Sequence, residues 1–284
     1  MTTQPNEVAS RRIHVVVPTM GTRPQWLRQT LLSIASQQAA AVNIVVVLPS
    51  GGDASPAEGI DSLTVKREDR RGLSVAINSG MESAKAEYVT WLGDDDLLAP
   101  GSLRYSIVAL QQHPCAPFSF GRTRYIDSAG ATIGLARPSS MAARHLRYGK
   151  DFVPQPGSLI RRSAWNAVGG VDESLHNAMD LKLFLELCRL GRPVYLRREV
   201  SAYRLHSQSI TLAKGASDES EAIRRSYQGR TAARTYAMWR PTLKEIDKWM
   251  DRMFRWAPSG SPELADGTPY TSAGPKWEQF GSNK

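Results

Sequence analysis

Cysteine is scarce: Cys115 and Cys188 are the only two in 284 residues, far apart and outside any CxxC or zinc-type spacing. This argues against a disulfide framework and favours a reducing compartment. No apolar run approaches the ~18 residues needed to span a bilayer. The opening MTTQPNEVASRR lacks the apolar core of a secretion signal. The expected location is therefore cytoplasmic, with peripheral contact at the inner face of a membrane left open. Internal repeats are absent, and so is any concentrated basic tract. The 36 Lys and Arg against 27 Asp and Glu, a formal charge of +9, are spread along the whole chain. Such a balance favours anionic partners. Its dispersal, and the lack of a helix that reads as a recognition element, argue against nucleic acid.

What is present fits a soluble globular protein, with 41% hydrophobic and 22% charged residues and enough length to bury a full core. Ile13–Val17 and Asn43–Leu48 are β-branched runs stopped by Pro18 and by Pro49-Ser50-Gly51-Gly52. Short continuous apolar runs between turn signals read as strands buried on both faces of a parallel sheet. Between them, Trp26, Leu27, Leu31 and Ile34 recur at helical spacing after Pro24, which suits a first helical turn. Together they predict a βαβ unit. The alternation continues with a strand at 63–66, a helix at 74–84, a strand at 87–92 and a helix at 101–112. Farther on, strand or hairpin character at 118–126 is followed by a basic, loop-like stretch at 137–150 that would suit a lid. A strand is expected at 158–160, helices at 162–168 and 179–190, a strand at 194–203 and an amphipathic helix over Pro241–Trp256. Beyond Pro258, Gly, Pro and Ser dominate and little order is expected.

Ligands bind open α/β sheets just beyond the carboxyl ends of strands. Asp94-Asp95-Asp96 follow one such end. Three successive carboxylates repel one another, and Mn²⁺ or Mg²⁺ bridging to a diphosphate would relieve that repulsion with hard oxygen ligands. The competing reading has Asp94 and Asp95 as solvated turn residues and Asp96 as a helix cap. Asp180 opens an amphipathic helix and is a candidate general base, or else a carboxylate stabilising the helix N-terminus. His206, after Tyr203-Arg204-Leu205, could complete a metal site or contact a phosphate. Arg197, Arg198 and Arg204 could face a diphosphate or simply be solvated.

The order and spacing of these pieces resemble the family 2 glycosyltransferases, which share the GT-A fold. The matching segments are VVVPT (Val15–Thr19) with Arg23-Pro24, then GLSVAINSGMESAKAEYVTWLGDDDLLAPGSL (Gly72–Leu103). PQPGSLIRRSAWNAVGGVDESL (Pro154–Leu175), AMDLKLFLEL and YRLHSQSIT follow, for a coverage of roughly residues 13 to 211. The resemblance implies an inverting transfer from a nucleotide sugar (UDP-, GDP- or dTDP-linked). Asp95 would be the principal metal ligand with Asp94 or Asp96 assisting, Asp180 the base, and His206 a metal or phosphate contact. Thr19 and Arg23 would lie near the nucleotide, as would Asp94. Arg70–Gly72, with Arg71 at its centre, and Asn78 would line the nucleotide pocket. Gln155, Pro156 and Gly157 would shape the sugar or acceptor site.

Three departures stand out. Leu48-Pro49-Ser50-Gly51-Gly52-Asp53 replaces the family's Asp-Asp-Gly-Ser run, Gly93 replaces the first aspartate of its Asp-X-Asp pattern, and Met179 replaces the acidic residue often preceding the base.

The expected architecture is α/β, a GT-A-like nucleotide-binding sheet flanked by helices with a helical C-terminal appendage. Its expected parts are a transferase domain over 10–212, the appendage over 213–257 and a poorly ordered tail over 258–284. The expected activity is metal-dependent sugar transfer to a hydroxyl on a glycan, a lipid-linked glycan, a protein or a small molecule. The alternatives are a catalytically degenerate nucleotide-sugar-binding module of the same fold, and a nucleotidyltransferase. The 241–256 helix has an aromatic face but a mixed polar one, which favours packing on the domain or on a second copy over contact with anionic lipid.

Overall fold

The computed structural model describes residues 12–37, 41–149, 151–206, 216–227, 241–242, 245–249 and 255–256. Four strands, β1 (Arg12–Pro18), β2 (Ala41–Leu48), β3 (Leu63–Arg67) and β4 (Tyr88–Trp91), run parallel in the order β3-β2-β1-β4. Helices α1 (Pro24–Ala35) and α2 (Leu73–Met81) make the crossovers. β1 is the central member, pairing Val16 with Val45 on one side and with Trp91 on the other.

Alternation along β1 and β2 explains why both faces are covered. Ile13, Val15 and Val17, with Ile44, Val46 and Leu48, meet Leu27, Leu31 and Ile34 of α1. The same face is packed by Leu103, Ile107 and Leu110 of α3 (Ser102–Gln112), which follows the two-residue β5 (Leu97–Leu98). Val16, Val45 and Val47 point the other way, into a core with Ile77 and Met81 of α2 and with Trp165, Leu181 and Phe184. Each fully buried aliphatic side chain contributes about 1.5–3 kcal/mol, so the two-sided burial dominates the stability of this half.

The second half turns the sheet antiparallel. β6 (Phe118–Ile126) pairs with β7 (Thr132–Ala136), and with β8 (Leu159–Arg161) after the one-turn helix α4 (Ala142–His145). α5 (Arg162–Val168) and α6 (Met179–Leu190) then lead to β9 (Val194–Arg204), which lies parallel to β6 and antiparallel to β5. α7 (Ala216–Tyr227) packs on α6, and β10 (Arg255–Trp256) pairs with the β7 edge.

Two expectations change. The helix expected across Pro241–Trp256 does not reach its end, because Arg255 and Trp256 form strand β10 opposite Ala136 and Leu135. The 137–150 stretch is not a free loop: Ala142 and Leu146 are fully buried in the core. Lys150, the 258–284 tail, and most of 207–240 lie outside the described residues.

Packing is tight where α2 crosses the sheet. A Cβ on Gly80 would fall 2.5 Å from Val16 Cγ1 and 2.9 Å from Val47 Cγ2, and both partners are held by the strand backbone. Gly80→Ala should therefore destabilise the fold by about 1–3 kcal/mol through overpacking, despite alanine's better helix propensity. Urea denaturation would check this; an unchanged midpoint would show that α2 can lift off the sheet at little cost.

Candidate active site

The carboxyl ends of β1 and β4 lie side by side, and their sequels form a polar cluster. The Thr19 N–H donates to Val47 O (2.8 Å), fixing the exit of β1 against β2. Its hydroxyl donates to Asp94 Oδ2 at 2.5 Å and accepts the Gly21 N–H at 3.0 Å. Arg23, at the entry to α1, reaches across: Nη2 lies 2.9 Å from Asp94 Oδ1 and Nη1 2.7 Å from Asp95 Oδ2. Asp94 is 4% exposed. Burial pushes its carboxyl above the ordinary value, while Thr19 and Arg23 pull it back.

Asp95 and His206 meet from opposite ends of the sequence. Nε2 of His206 is 2.7 Å from Asp95 Oδ2 and 2.9 Å from Arg23 Nη1. A single ring nitrogen cannot accept from the guanidinium and donate to the carboxylate at once. Asp95 Oδ2 and His206 Nε2 converge on one point, and the cationic Nη1 of Arg23 stands at it, 2.7 Å from the first and 2.9 Å from the second. A hard oxygen and an imidazole nitrogen are a donor set suited to Mn²⁺ or Mg²⁺. Among the described residues no cluster of three or more His, Cys, Asp and Glu forms a metal cage. Two protein ligands nevertheless match ions that complete their shell with water and substrate phosphates. The residues present therefore fit a shared ion rather than an all-protein site.

Asp96 is turned inward. It is 4% exposed, its Oδ1 accepts the Arg204 N–H at 3.0 Å, and its backbone oxygen accepts from the Thr30 hydroxyl at 2.7 Å. Burial holds its carboxyl well above the carboxylate range. Gly93 explains the crowding: a Cβ there would lie 2.8 Å from Asp95 Oδ1 and 3.1 Å from Asp96 Oδ2. The carboxylates fill the space a side chain at position 93 would need.

Arg204 stitches this edge together. Buried to 2% exposure, it donates from Nε to Asp95 O (2.9 Å), from Nη1 to Asp127 O (3.1 Å) and Ser128 O (3.2 Å), and from Nη2 to Gln29 Oε1 (2.9 Å). Its guanidinium also lies 5.1 Å from the Trp26 ring centroid, and the His206 ring packs 4.9 Å from the same ring. Arg204 thus supports the cluster from behind. Arg197 and Arg198 lie on β9, and Arg198 stacks over Tyr105.

Gln155, Pro156 and Gly157 line the junction of β4 and β9. Gln155 Nε2 donates to Trp91 O (2.9 Å), and Pro156 O accepts from the Ser201 hydroxyl (2.7 Å). Gly157 has φ +79°, and a Cβ would meet Val200 O at 2.9 Å, so only glycine fits. Asn78 uses both amide atoms on one loop residue: Nδ2 donates to Val171 O (2.8 Å) and Oδ1 accepts Val171 N–H (3.1 Å). It clamps the loop that leads to Asp180. Arg71 is exposed at the turn before α2.

Asp180 is the second residue of α6, and its Oδ1 accepts the Leu181 N–H at 2.7 Å. Ser74, in the first turn of α2, donates to Leu175 O at 3.3 Å. Because α2 starts at the carboxyl end of β3, the Asp180 loop lies at the same sheet edge as Asp94–Asp96. Burial raises the Asp180 carboxyl above its ordinary value.

Three neighbours of Asp180 escaped sequence reasoning. Asp151 is pushed up to about 7 by burial and then by the Asp180 charge, although it accepts the Val153 N–H at 2.8 Å. Glu219 and Arg224 of α7 also act on Asp180, with opposite signs. Asp151 lies just past the basic stretch expected to be loop-like, and Glu219 in an acidic first turn; neither local pattern points at position 180.

A parallel half-sheet with an aspartate cluster at its carboxyl edge, continued by an antiparallel half, defines a GT-A-like fold. The sequence model described as Glycosyl transferase family 2 matches residues 14–169, more than half of the chain, which therefore belongs to that family. Among curated relatives, an uncharacterized glycosyltransferase of Rickettsia felis is 20% identical over 275 residues, 92% of this chain and 44% of that protein. Chondroitin synthase of Escherichia coli is 22% identical over 157 residues, 52% of this chain and 21% of that protein. The chain thus spans less than half the length of these relatives. The solved structure of S. aureus TarS 1–349 in complex with UDP-GlcNAc superposes with a TM-score of 0.60 at 15% identity, covering 76% of this chain and 65% of that one. Mannosyltransferase PcManGT from Pyrobaculum calidifontis, in complex with GDP-Man and Mn²⁺, gives 0.61 at 16% identity, covering 88% and 74%. No described helix is long and apolar enough to cross a membrane.

The raised Asp151 carboxyl makes a signed prediction. A carboxyl whose folded value exceeds its unfolded one contributes stability below about pH 4, and that contribution is lost as pH rises through about 7. Asp151→Asn should gain thermal stability relative to the parent between about pH 4 and pH 8. Melting scans at both ends check it; a pH-independent difference would refute the assignment.

Proposed function

We propose that the chain is an inverting, divalent-metal-dependent glycosyltransferase that moves a sugar from a nucleotide-sugar donor to an acceptor hydroxyl. The reading is supported by the Asp95–His206 donor set (2.7 Å) at the carboxyl edge of the sheet, together with the Ser74 bond that ties the loop leading to Asp180 to the first turn of α2. A nucleotide diphosphate held near Asp95 and a base at Asp180 are what an in-line displacement at an anomeric carbon requires.

Asp95 and His206, with Asp94 behind them, would hold the ion, whose charge stabilises the diphosphate as it leaves. Arg23 and Thr19 orient this group and pin Asp94. Asp180 takes the proton from the acceptor hydroxyl; a carboxylate with a raised value is the stronger base for that step. The hydroxyl oxygen then attacks the sugar from the face opposite the nucleotide. Gln155, Pro156 and Gly157, tied to Trp91 and β9, shape the sugar side. The neighbours bound to UDP-GlcNAc and GDP-Man, the latter with Mn²⁺, support a UDP- or GDP-sugar donor and Mn²⁺ as the ion; a dTDP-sugar and Mg²⁺ are the remaining members of the expected classes. The acceptor belongs to one of four classes: glycan, lipid-linked glycan, protein or small molecule.

Nucleoside-diphosphate release from a panel of nucleotide sugars, with Mn²⁺ and with EDTA, tests the metal claim. Release from one donor that EDTA abolishes is expected; equal release in EDTA would overturn metal dependence. Asp180→Asn should lower turnover by about 10²-fold or more while donor affinity, read by calorimetry, stays within about twofold of the parent. Retained turnover in that variant would remove Asp180 from the role of base. Donor binding without any turnover in the parent would favour the degenerate binding module instead.

A further inference from the structure

α6 begins without a cap of its own. Its N-cap is Ala178, which has no side-chain acceptor, and the residues before it, His176 and Asn177, turn their backbone N–H groups outward. Uncapped helix starts leave up to four donors unsatisfied. Inside the first turn Asp180's own carboxylate accepts the Leu181 N–H, while a carboxylate 41 to 43 positions farther along takes the N–H of Ala178 and of the two residues before it. Glu219 Oε1 accepts the His176 N–H at 3.0 Å, and Oε2 accepts the Asn177 and Ala178 N–H groups, both at 2.7 Å. We propose that Glu219, brought in by α7, is a positioning residue for Asp180, so that the C-terminal segment completes the base-bearing half of the site.

The helix that carries Glu219 is built to present it. Glu219, Ile223 and Tyr227 recur every four residues, which places them on one face of α7. Ile223 is buried in the same core as Leu181 and Leu185 of α6, and the Tyr227 hydroxyl donates to Glu186 of α6. Arg224 Nε donates to Leu146 O at 3.2 Å, tying α7 to the segment after α4. The contact is therefore a three-point clamp along α6, with Glu219 at the end next to Asp180. Charge-assisted bonds to backbone N–H groups are the stronger kind. Burial pushes the Glu219 carboxyl up, and the three backbone donors together more than offset it, leaving the carboxyl below its ordinary value. An ionised Glu219 two residues from Asp180's turn does two things. It fixes the backbone from which Asp180 projects, and its charge adds to the effect of burial, and opposes that of Arg224, in raising the Asp180 carboxyl.

This inference rests on Asp180 being the base, and the experiment separates the two claims. Glu219→Gln, Glu219→Asp and Tyr227→Phe are made in the full chain, beside Asp180→Asn. Two readouts are used: hydrogen exchange over residues 176–181, and the pH profile of metal-supported nucleoside-diphosphate release from the donor. In Glu219→Gln, exchange at 176–178 should rise about tenfold or more as the nest loses its charge. The acid limb of the release profile should move down by about half a pH unit or more. Glu219→Asp should restore part of both. Tyr227→Phe should lower melting temperature by loosening the far end of α7, yet leave the acid limb in place. Unchanged exchange and an unmoved acid limb in Glu219→Gln would overturn the inference. Turnover surviving in Asp180→Asn would instead overturn the role of Asp180, and exchange alone would then decide whether Glu219 holds the loop.

Discussion

One buried guanidinium holds the functional edge of the sheet in shape. Arg204 sits buried at the end of β9, among the carbonyls of Asp95, Asp127 and Ser128, the amide of Gln29 and the face of Trp26. Burying a cation carries a penalty of several kcal/mol unless hydrogen bonds and nearby charge offset it. Each of its donors therefore acts as a constraint: the aspartate turn, the β6–β7 turn and α1 must all present an acceptor to the same point. Burial lowers the Arg204 value, and Asp96, Asp95 and Asp127 oppose that shift. The inward Asp96, which looks wasted as a ligand, is thus part of the compensation that lets Arg204 remain charged. Asp95 and His206 can face each other because the residues beside them, Asp96 and Arg204, are locked together.

The two halves of the site are stabilised by different physics. At the aspartate turn, opposite charges are crowded under partial burial, with Arg23 between Asp94 and Asp95. Around Asp180, like charges are brought together. Asp151, Asp180 and Glu219 share one region, tempered by Arg224 and by the backbone donors each carboxylate has found. An edge that binds a diphosphate needs positive charge within reach, whereas a base needs an environment that makes it reluctant to stay ionised.

Much of the fold was legible because its strands are buried on both faces. Ile13–Val17 and Asn43–Leu48 announce themselves as uninterrupted β-branched runs, and the limits expected for 118–126, 162–168 and 179–190 coincide with β6, α5 and α6. The hairpin at 118–126 with its turn at Ser128-Ala129-Gly130 anticipates a returning arm, but the limits of β7 carry no signal of their own, since Thr132–Ala136 holds a glycine and exposed positions. Arg255–Trp256 continued a helical pattern in sequence, yet the free edge of β7 decided its conformation. Within the site, Asp94–Asp96 stood out as a carboxylate run, but their division of labour did not. Which of them turns inward depends on Arg204, more than a hundred residues away. Asp151 and Glu219 carried no local signal, since their neighbours in space are not their neighbours in sequence.

The bond between Arg204 and Asp96 spans 108 positions, and this has a consequence for biosynthesis. While the chain emerges from the ribosome, the parallel half through β4 can collapse on its local βαβ contacts. Its aspartate turn, however, lacks the cation that shapes it until β9 has been made. Long-range closure of this kind is slow compared with helix and hairpin formation. A nascent chain therefore passes through a stage in which Arg23, already made, can pair with Asp94 and Asp95 while Asp96 still lacks its partner at position 204. The final shape of this edge arrives late, with β9.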